Sequence, residues 1–516
     1  MRDKWGKAQR GFNKLIFRFP RKRPSMKVVP GDFDLMGFLD HGLASGNPVR
    51  SAKQVGKCCV QKRAWKMGKS SILSGNRRKF FAVVGGWGLP WVIRGSVLGC
   101  SGRSAPSNRI ALGFIGLGMM GRGHLSRFLM YPNVQVIAVC DVDRWRRENA
   151  QQMVDKAYGG SAPRSGSSSC AAYNDLRELL DRSDIDAVVI ATGDNWHATA
   201  TVLAAQAGKE VYCEKPASLT IYEAQAMRRA IRRYGRIFQT GLQQRSAPEF
   251  RLACGLVQRG GLGKVRSVYV NFPGTSSDVD LPAEPVPEGL DWDRWLGPAP
   301  WRPYNSRFHH YGPPKQVVPW HFCRDFGGGN LTSNAVHAFD IVQWALNKDD
   351  NGPVEIIPPE TGEVPFLTYR YSEGVELQVV PKLDPRFHDI PPDWDENTTI
   401  QPFGALFVGE DGWIHVGRQG FLQAYPPDVI ETYLARYDHG VALGNHHQDW
   451  LQAIVSRRRT ASDVESGCRS TIVSHLGCIA HWTGRKLRWD PVREEFVGDE
   501  EANRLKRRAM RPPWQV

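Results

Sequence analysis

The sequence predicts an α/β protein with a doubly wound parallel sheet in its N-terminal half and a C-terminal α+β domain carrying an open, largely antiparallel sheet. Three observations support this. From residue 109, apolar strand-like runs alternate with helical segments, as in parallel sheets with right-handed crossovers. A glycine-rich turn follows the first run. Beyond residue 245, strand-like runs recur with few helices between them, which favours antiparallel pairing.

The charge of the chain is unevenly distributed. The 516 residues have a formal net charge of +16, which by itself would suggest a nucleic-acid partner. Residues 1–108, however, carry 22 Lys+Arg against 4 Asp+Glu, and the remaining residues carry 46 against 48. The basic character therefore belongs to a leader. We expect no nucleic-acid partner for the nearly neutral body.

Cysteine spacing argues against a metal centre. The ten cysteines contain no CxxC pair and no metal-ligand spacing. Cys140 and Cys213 lie in apolar strand-like runs, where a thiol usually packs as a small hydrophobe. We therefore expect neither a bound metal nor a disulfide framework.

The first 66 residues lack apolar periodicity. They carry 16 Lys+Arg against 4 acidic residues, a composition typical of an unstructured extension. The alternative is a start codon assigned too early, with Met67 as the natural beginning.

Residues 67–108 are interpreted as an export signal and a linker. Arg77 and Arg78 precede an apolar stretch over residues 80–93, which is too short to span a bilayer and resembles a twin-arginine signal. This predicts an exported, periplasmic protein that uses the twin-arginine machinery and has no stable membrane span. A short buried helix and a lipoprotein box ending at Cys100 are the alternatives.

Residues 109–245 form the predicted dinucleotide-binding domain. The first strand-like run leads into Gly116-x-Gly118-x-x-Gly121, with Met119 and Met120 inside the turn, and then into a helix. In this context the pattern indicates a Rossmann nucleotide-binding loop. Gly116 would permit the tight turn, Gly118 would let the backbone approach a pyrophosphate, and Gly121 would allow close helix packing. The phosphates would lie at the positive helix N-terminus.

The second strand-like run ends at Asp141, twenty residues after Gly121. A carboxylate there accepts hydrogen bonds from the adenosine ribose, which favours NAD over NADP. Arg144 and Arg146 follow closely and leave NADP as an alternative. Taken alone, Asp141 is also compatible with a solvated carboxylate at a strand end.

The alternation continues through residue 244. We predict helices over 175–182, from Trp196 and from Thr220, and strands over 186–192, 210–216 and 236–244. Ligands of such sheets bind at the carboxyl ends of the strands. This places a set of polar side chains on one rim: Thr192, Asp194, His197, Glu214, Lys215 and Gln244.

At Glu214-Lys215-Pro216 the chain resembles the Gfo/Idh/MocA family of sugar and polyol dehydrogenases, in particular its exported planctomycete-type members. The resemblance spans about residues 109–516 and includes TGDNWHA from Thr192, GKEVYCEKPASLT from Gly208 and QTGLQQRSAPEFR from Gln239. It implies that Lys215 lies beside the nicotinamide, where an ammonium stabilises a developing alkoxide. A cis Lys215–Pro216 bond is common in the family. A surface lysine is the alternative interpretation.

The resemblance also implies a catalytic histidine. In GGGNLTSNAVHAFDIVQWAL, His337 occupies the position of the residue that takes the hydroxyl proton. Ser333 stands where the family has the partner aspartate, so the base is weaker, differently supported or unused. Asp340, one turn beyond, is either a substitute partner or a packing residue. A buried core histidine is the alternative for His337.

Residues 246–516 form the predicted substrate-binding and oligomerisation domain. One group of side chains suits recognition of a polyhydroxylated ring, although we expect most of them to be structural: Trp301, Arg302, Tyr304, Trp320, Arg324 and Ser333. The resemblance implies a homodimer or homotetramer formed through the open sheet. The tail over 500–516 is expected to wrap a surface, with its basic run as a solvated face.

The expected activity is NAD-dependent oxidation of a hydroxyl on a carbohydrate substrate (a sugar, polyol or glycoside), or the reverse reduction. An export route that accepts folded proteins favours tightly bound NAD, because the periplasm offers little free dinucleotide. Two alternatives stay open: NAD-assisted glycoside cleavage by transient oxidation, and a catalytically silent cofactor-binding protein, which Ser333 makes plausible.

Overall fold

The structure is a computed structural model that describes residues 108–159, 170–315, 319–437 and 445–516. The predictions for residues 1–66 and for the export signal with Cys100 concern residues outside these ranges. The described residues belong to one compact unit within Gly88–Val516.

The described part of the N-terminal half contains six strands and five α-helices. The strands are β1 (Ile110–Ile115), β2 (Val134–Cys140), β3 (Ala171–Tyr173), β4 (Ala187–Ile190), β5 (Glu210–Cys213) and β6 (Phe238–Thr240). The helices are α1 (Met119–Phe128), α2 (Arg144–Ala157), α3 (Leu176–Leu180), α4 (Asp194–Gln206) and α5 (Ile221–Tyr234).

These strands form one parallel sheet in the order β3-β2-β1-β4-β5-β6, which confirms the predicted doubly wound fold. The central strands are apolar along their whole length because helices cover both faces. Leu125 of α1 and Val154 of α2 pack on one face, and Ala200 of α4 and Met227 of α5 pack on the other. The three-residue edge strand β3 was not predicted, since it is too short to show a period.

Seven helices follow in the C-terminal half, with one more at the end of the chain. They are α6 (Pro248–Gln258), α7 (Trp292–Leu296), α8 (Asn330–Ser333), α9 (Val336–Ala345), α10 (Val429–Arg436), α11 (His446–Ser456), α12 (Val464–Thr483) and α13 (Glu500–Leu505). The strands are β7 (Val265–Val270), β8 (Glu355–Ile357), β9 (Thr368–Arg370), β10 (Glu376–Val379), β11 (Ala405–Gly409), β12 (Trp413–Val416), β13 (Leu422–Tyr425), β14 (Leu487–Asp490) and β15 (Glu495–Phe496).

The second sheet has nine strands in the order β13-β12-β11-β7-β10-β9-β8-β14-β15. Its neighbours run antiparallel except for β7 and β10, so the prediction of a largely antiparallel sheet is confirmed. One face packs against α6, α9 and α12. On the other face, Tyr269 and Leu406 lie in a cluster with Leu383, Trp394 and Ile400 from the connection between β10 and β11.

The basic C-terminal tail is not a solvated face, so this prediction is wrong. Arg508 donates to Glu223 Oε1 at 2.7 Å, and Arg511 donates to Asp293 at 2.6 Å. Trp514 is buried against Trp196, with ring centroids 4.8 Å apart. The arginines are ordered by carboxylates on other elements, which a sequence pattern does not reveal.

Three properties of the described residues bear on chemistry. No helix there is long and apolar enough to cross a bilayer. Nor do these residues hold a group of three or more His, Cys, Asp or Glu side chains suited to a metal ion. The seven cysteines in this part of the chain are buried free thiols.

Candidate active site

The three glycines of the turn after β1 differ in the space around them. Gly116 has φ +88°, and a Cβ there would lie 2.6 Å from the carbonyl oxygen of Ala191. A Cβ on Gly121 would lie 2.0 Å from the carbonyl oxygen of Gly116. At Gly118, the N-cap of α1, nothing lies nearer than 3.8 Å. The first and third glycines are therefore required by packing, and the second keeps the helix N-terminus open to a ligand.

A cavity of about 330 Å³ lies at this turn. Its lining includes the glycine turn with the partly exposed Met119 and Met120, together with Asp141, Thr192, Trp320 and Trp514. Trp514 comes from the C-terminal tail, and no local motif identified it.

Asp141 is held in a fixed orientation at the cavity. Its Oδ2 accepts a hydrogen bond from Leu117 N at 2.6 Å, and its Oδ1 accepts one from Asp143 N at 2.9 Å. Each carboxylate oxygen has capacity for a second donor, such as a ribose hydroxyl. Open backbone for phosphates beside a carboxylate for a ribose fits a dinucleotide.

Arg146 is engaged by the protein. Its guanidinium donates to the carbonyl oxygens of His310 at 2.8 Å and Gly312 at 3.0 Å. Arg144 is half exposed and lies 3.7 Å from Glu288. The Arg146 contacts reduce what that side chain could offer to a 2′-phosphate.

Lys215 is directed into the protein and not toward bulk water. Its Nζ donates to the carbonyl oxygen of Ser333 at 2.6 Å, and the Lys215–Pro216 bond is cis. Burial lowers the pKa of Lys215, while the carboxylates of Glu214 and Asp194 oppose this. The surface-lysine interpretation is thereby excluded.

Asp194 and His197 lie in the first turn of α4, which begins two residues before the predicted start because Gly193 serves as its N-cap. Burial raises the pKa of Asp194 to about 8. Among the described residues, its Oδ2 has no hydrogen-bond partner. His197 Nδ1 donates to the carbonyl oxygen of Pro216 at 2.6 Å, and the Thr192 hydroxyl donates to the Gly193 carbonyl at 3.2 Å.

Glu214 holds the end of β5 in place. His124 Nε2 lies 2.8 Å from its Oε1, and Gln243 donates to the same oxygen at 3.1 Å. The backbone amide of Lys215 donates to its Oε2 at 3.3 Å. The Glu214 carboxylate is therefore engaged within the protein, and His447 extends the network through a 2.9 Å contact with His124 Nδ1.

His337 is 3% exposed and is contacted by Gln244. With the amide oxygen of Gln244 turned toward the guanidinium of Arg418, which offers only donors, that oxygen accepts at 3.1 and 3.2 Å and the amide NH₂ donates to His337 Nδ1 at 2.8 Å. Arg418 also stacks on Phe403, with its guanidinium carbon 3.7 Å from the ring centroid. Burial and then the positive charges of Arg418 and Lys215 lower the pKa of His337 well below its usual value.

The sequence did not identify Arg418 or Phe403. Arg418 is the last residue of the strand-like run GWIHVGR, residues 412–418, whose only signal was strand periodicity. Gln244 was predicted on the cofactor rim, and the structure places it between His337 and Arg418.

Asp340 does not replace the missing aspartate. Its carboxylate accepts three hydrogen bonds of 2.8–3.0 Å from Arg245 and one of 2.8 Å from the Ser470 hydroxyl. The suggestion that it supports His337 is therefore wrong, because the salt bridge holds it elsewhere. The hydroxyl of Ser333 is buried without a partner among the described residues.

The predicted substrate residues do not converge. Trp320 borders the cavity, and Ser333 contacts Lys215. Arg302 lies 3.1 Å from Asp325, and the hydroxyl of the buried Tyr304 donates to the His309 carbonyl at 2.9 Å. The polar groups of these two side chains are therefore bound to neighbouring loop residues.

The remaining two candidates, Arg324 and Trp301, make their contacts away from Lys215. Arg324 stacks over Trp482 at 4.0 Å, and Trp301 is 68% exposed. The expectation that most of the set is structural agrees with these contacts.

The family models match both halves of the chain. Residues 110–242 match the model described as oxidoreductase family, NAD-binding Rossmann fold. Residues 271–376 and 421–516 match the model described as oxidoreductase family, C-terminal alpha/beta domain.

Curated relatives match over shorter stretches. The chain is 40% identical over 118 residues to Glycosyl hydrolase family 109 protein 1 of Bacteroides thetaiotaomicron, which covers 22% of this chain and 24% of that protein. It is 31% identical over 159 residues to Inositol 2-dehydrogenase of Salmonella typhimurium, which covers 30% and 44%. The chain thus spans between 24% and 44% of the length of these two relatives.

Among solved structures, the WlbA dehydrogenase from Bordetella pertussis, in complex with NADH and UDP-GlcNAcA, aligns with a TM-score of 0.49 at 16% identity. The alignment covers 74% of this chain and 99% of that one. The family models, the parallel sheet and the glycine turn agree with one another. The chain belongs to the Gfo/Idh/MocA oxidoreductase family.

Proposed function

We propose that this protein is an NAD-dependent oxidoreductase that acts on a hydroxyl of a sugar, polyol or glycoside, or catalyses the reverse reduction. The observation that carries this proposal is the buried Lys215 amine, which shares its surroundings with His337 beyond the end of β5. Bound NAD would accept or return the hydride. Lys215 and His337 would hold the substrate oxygen and stabilise its developing charge, since electrostatic stabilisation is strongest where water is excluded.

Substitution of Lys215 tests this assignment. On a substrate identified from a carbohydrate panel, Lys215→Met should lower kcat by about a hundredfold or more, the usual effect of losing one group that stabilises an oxyanion. NAD affinity should change much less. Lys264→Met, at an exposed lysine, is the matched control and should leave both unchanged. Unaltered turnover in Lys215→Met would contradict the proposal.

NAD is the proposed cofactor, in preference to NADP. The fixed carboxylate of Asp141 would repel a 2′-phosphate, and Arg146 is already engaged. Calorimetric titration should therefore give a Kd for NAD at least about tenfold below that for NADP, a difference of about 1.4 kcal/mol. We also propose tight binding. Denaturing extraction of the purified protein should release nucleotide, and its absence would argue against this.

Glycoside cleavage by transient oxidation is the second candidate. The name of the Bacteroides relative, Glycosyl hydrolase family 109 protein 1, favours it. A hydrolase of this kind regenerates its NAD within each cycle, whereas a dehydrogenase accumulates NADH. Absorbance at the NADH band together with analysis of released sugar therefore separates the two.

We further propose that the protein is exported by the twin-arginine route and assembles as a homodimer or homotetramer. The intact mass of the mature protein tests export, and retention of residues 1–66 would contradict it. Light scattering after size-exclusion chromatography tests assembly, and a monomer at micromolar concentration would contradict that.

A further inference from the structure

We infer that Arg418, acting through Gln244, fixes the neutral ring of His337 with its proton on Nε2, so that His337 donates a hydrogen bond to the substrate oxygen instead of removing a proton from it. The inference rests on the proposed function and refines the role of one residue in it. Arg418 and Gln244 are positioning residues, because they act through His337.

The orientation of the Gln244 amide follows from its neighbours. The guanidinium of Arg418 offers only hydrogen-bond donors, so it must face the amide oxygen, at 3.1 and 3.2 Å. The NH₂ group of the amide then faces His337 Nδ1 at 2.8 Å. The reverse orientation would set donors against donors and leave the NH₂ only a 3.5 Å contact with the Phe403 carbonyl.

The amide in turn decides the tautomer of the histidine. Because Nδ1 accepts a hydrogen bond, it carries no proton, and a neutral imidazole must then carry its proton on Nε2. Nε2 is the ring nitrogen that the contact with Gln244 leaves to a ligand.

Protonation of the whole ring is opposed as well. An imidazolium would place a second proton on Nδ1, against the NH₂ of Gln244. Burial and the positive charges of Arg418 and Lys215, with a smaller contribution from His446, lower the pKa of His337. His337 therefore has neither the free lone pair nor the charge environment that a general base needs.

The chemistry balances without a histidine base. In oxidation, the hydroxyl oxygen accepts a hydrogen bond from Nε2–H, its proton passes to the amine form of Lys215, and the C–H electron pair would pass as hydride to the NAD of the proposed function. In reduction, NADH would supply the hydride, Nε2–H polarises the carbonyl and the Lys215 ammonium returns the proton. A neutral histidine can polarise a carbonyl in this way.

Nitrogen NMR of the ring tests the inference without any turnover. Protein labelled with ¹⁵N in its histidine rings gives two-bond proton–nitrogen correlations that identify the protonated nitrogen. Comparison with His337→Asn assigns the signals. We expect Nδ1 to be unprotonated and Nε2 protonated throughout pH 6 to 8. A proton on Nδ1 in the unsubstituted protein would overturn the inference.

Substitutions of Gln244 and Arg418 provide a second test. Gln244→Glu places a carboxylate between Arg418 and His337, so the proton should move to Nδ1, and a proton retained on Nε2 would refute the mechanism. Arg418→Gln should give a mixture of tautomers. Arg266→Gln, at an exposed arginine paired with Glu410, is the matched control and should keep the original pattern.

The outcome is distinguishable from failure of the proposed function. The spectra need neither substrate nor NAD, so the tautomer can be established even if no sugar is turned over. Conversely, a confirmed dehydrogenase with Nδ1 protonated would keep its activity assignment and lose only this role of His337.

Discussion

The charge of a buried side chain at the candidate site depends on what surrounds it. Burial raises the pKa of Asp194 to about 8, although the nearby Lys215 ammonium acts in the opposite direction. Burial also lowers the pKa of Lys215. Both shifts favour the neutral forms of the two side chains.

Asp194 predicts a pH dependence of stability. Its folded pKa lies above the value of 3.8 for an ordinary aspartate, so the folded state retains a proton that the unfolded state releases. The contribution of the protonated Asp194 to the stability of the fold is fully present below about pH 4 and is lost as the pH rises to about 8. Asp194→Asn should therefore gain thermal stability over the unsubstituted protein as pH rises from 5 to 8.

Melting temperatures across this pH range provide the measurement. Asp278→Asn, at an exposed aspartate, is the control and should track the unsubstituted protein. A constant difference between Asp194→Asn and the unsubstituted protein from pH 5 to 8 would contradict the prediction.

Alanine substitutions of the turn glycines should differ in their effects on stability and NAD binding. In Gly121→Ala the new Cβ would meet the Gly116 carbonyl at 2.0 Å, so both stability and NAD binding should fall, with overpacking costing about 1–3 kcal/mol. Gly118→Ala should retain stability, because a Cβ there would lie no nearer than 3.8 Å to any neighbour. It should lose NAD affinity, because the Cβ would lie where the backbone is left open to a ligand. Gly123→Ala, on the same helix with nothing within 4 Å, should be neutral in both. Thermal unfolding and calorimetry would show this order, and equal effects at Gly121 and Gly123 would refute it.

At the scale of the element, helix α2 is tied to the loop that covers the cavity. Asp143 is its N-cap, and its Oδ1 accepts from Arg146 N at 3.1 Å. Its Oδ2 accepts from Gly312 N at 2.8 Å and lies 3.1 Å from His309 Nε2. One buried carboxylate therefore orders the helix start and the loop together.

Asp143→Ala should destabilise the protein by about 3 kcal/mol, since a lost N-cap costs about 1 kcal/mol and buried hydrogen bonds to a charged group cost more. NAD affinity should also fall, because His309 lines the cavity. Asp428→Ala is the matched control, since Asp428 is an exposed N-cap without a side-chain cap bond. Chemical denaturation measures the stability of both variants, and equal losses of stability would contradict the coupling of helix and loop.

At the scale of the whole molecule, distant parts of the chain complete the N-terminal domain. The end of α12 nearest its N-terminus contacts β6, where a Cβ on Gly467 would lie 1.8 Å from the Thr240 hydroxyl oxygen. Trp450 of α11 packs in the core under α1, and Trp514 borders the cavity. Residues within 445–516 therefore complete the nucleotide-binding domain.

Trp514→Ala tests whether the C-terminal tail helps to complete the N-terminal domain. The change should cost about 3–5 kcal/mol, the usual effect of removing a buried tryptophan side chain. NAD affinity should fall because the side chain lines the cavity. Trp301→Ala, which removes a tryptophan that is 68% exposed, should stay within about 0.5 kcal/mol of the unsubstituted protein. Unfolding midpoints compare the two, and a neutral Trp514→Ala would show that the tail is dispensable.

The parallel sheet and the glycine turn could be predicted because their signals are local. Apolar runs of strand length, the glycine spacing and Asp141 lie within about thirty consecutive residues. The edge strand β3 and the tail could not be predicted in the same way. Three residues carry no period, and the contacts of Arg508 and Trp514 join segments about 285–318 positions apart.

The sequence by itself determined the fold class and the glycine turn, and it predicted Lys215 at a strand end, while the family resemblance pointed to His337. Only the tertiary structure decided what surrounds His337. Asp340 is turned to Arg245, while Gln244, 93 residues before His337, contacts the ring and Arg418, 81 residues after it, contacts Gln244. The physical reason is that protonation and hydrogen bonding depend on distance in space, and side chains far apart in the chain leave no pattern in sequence spacing.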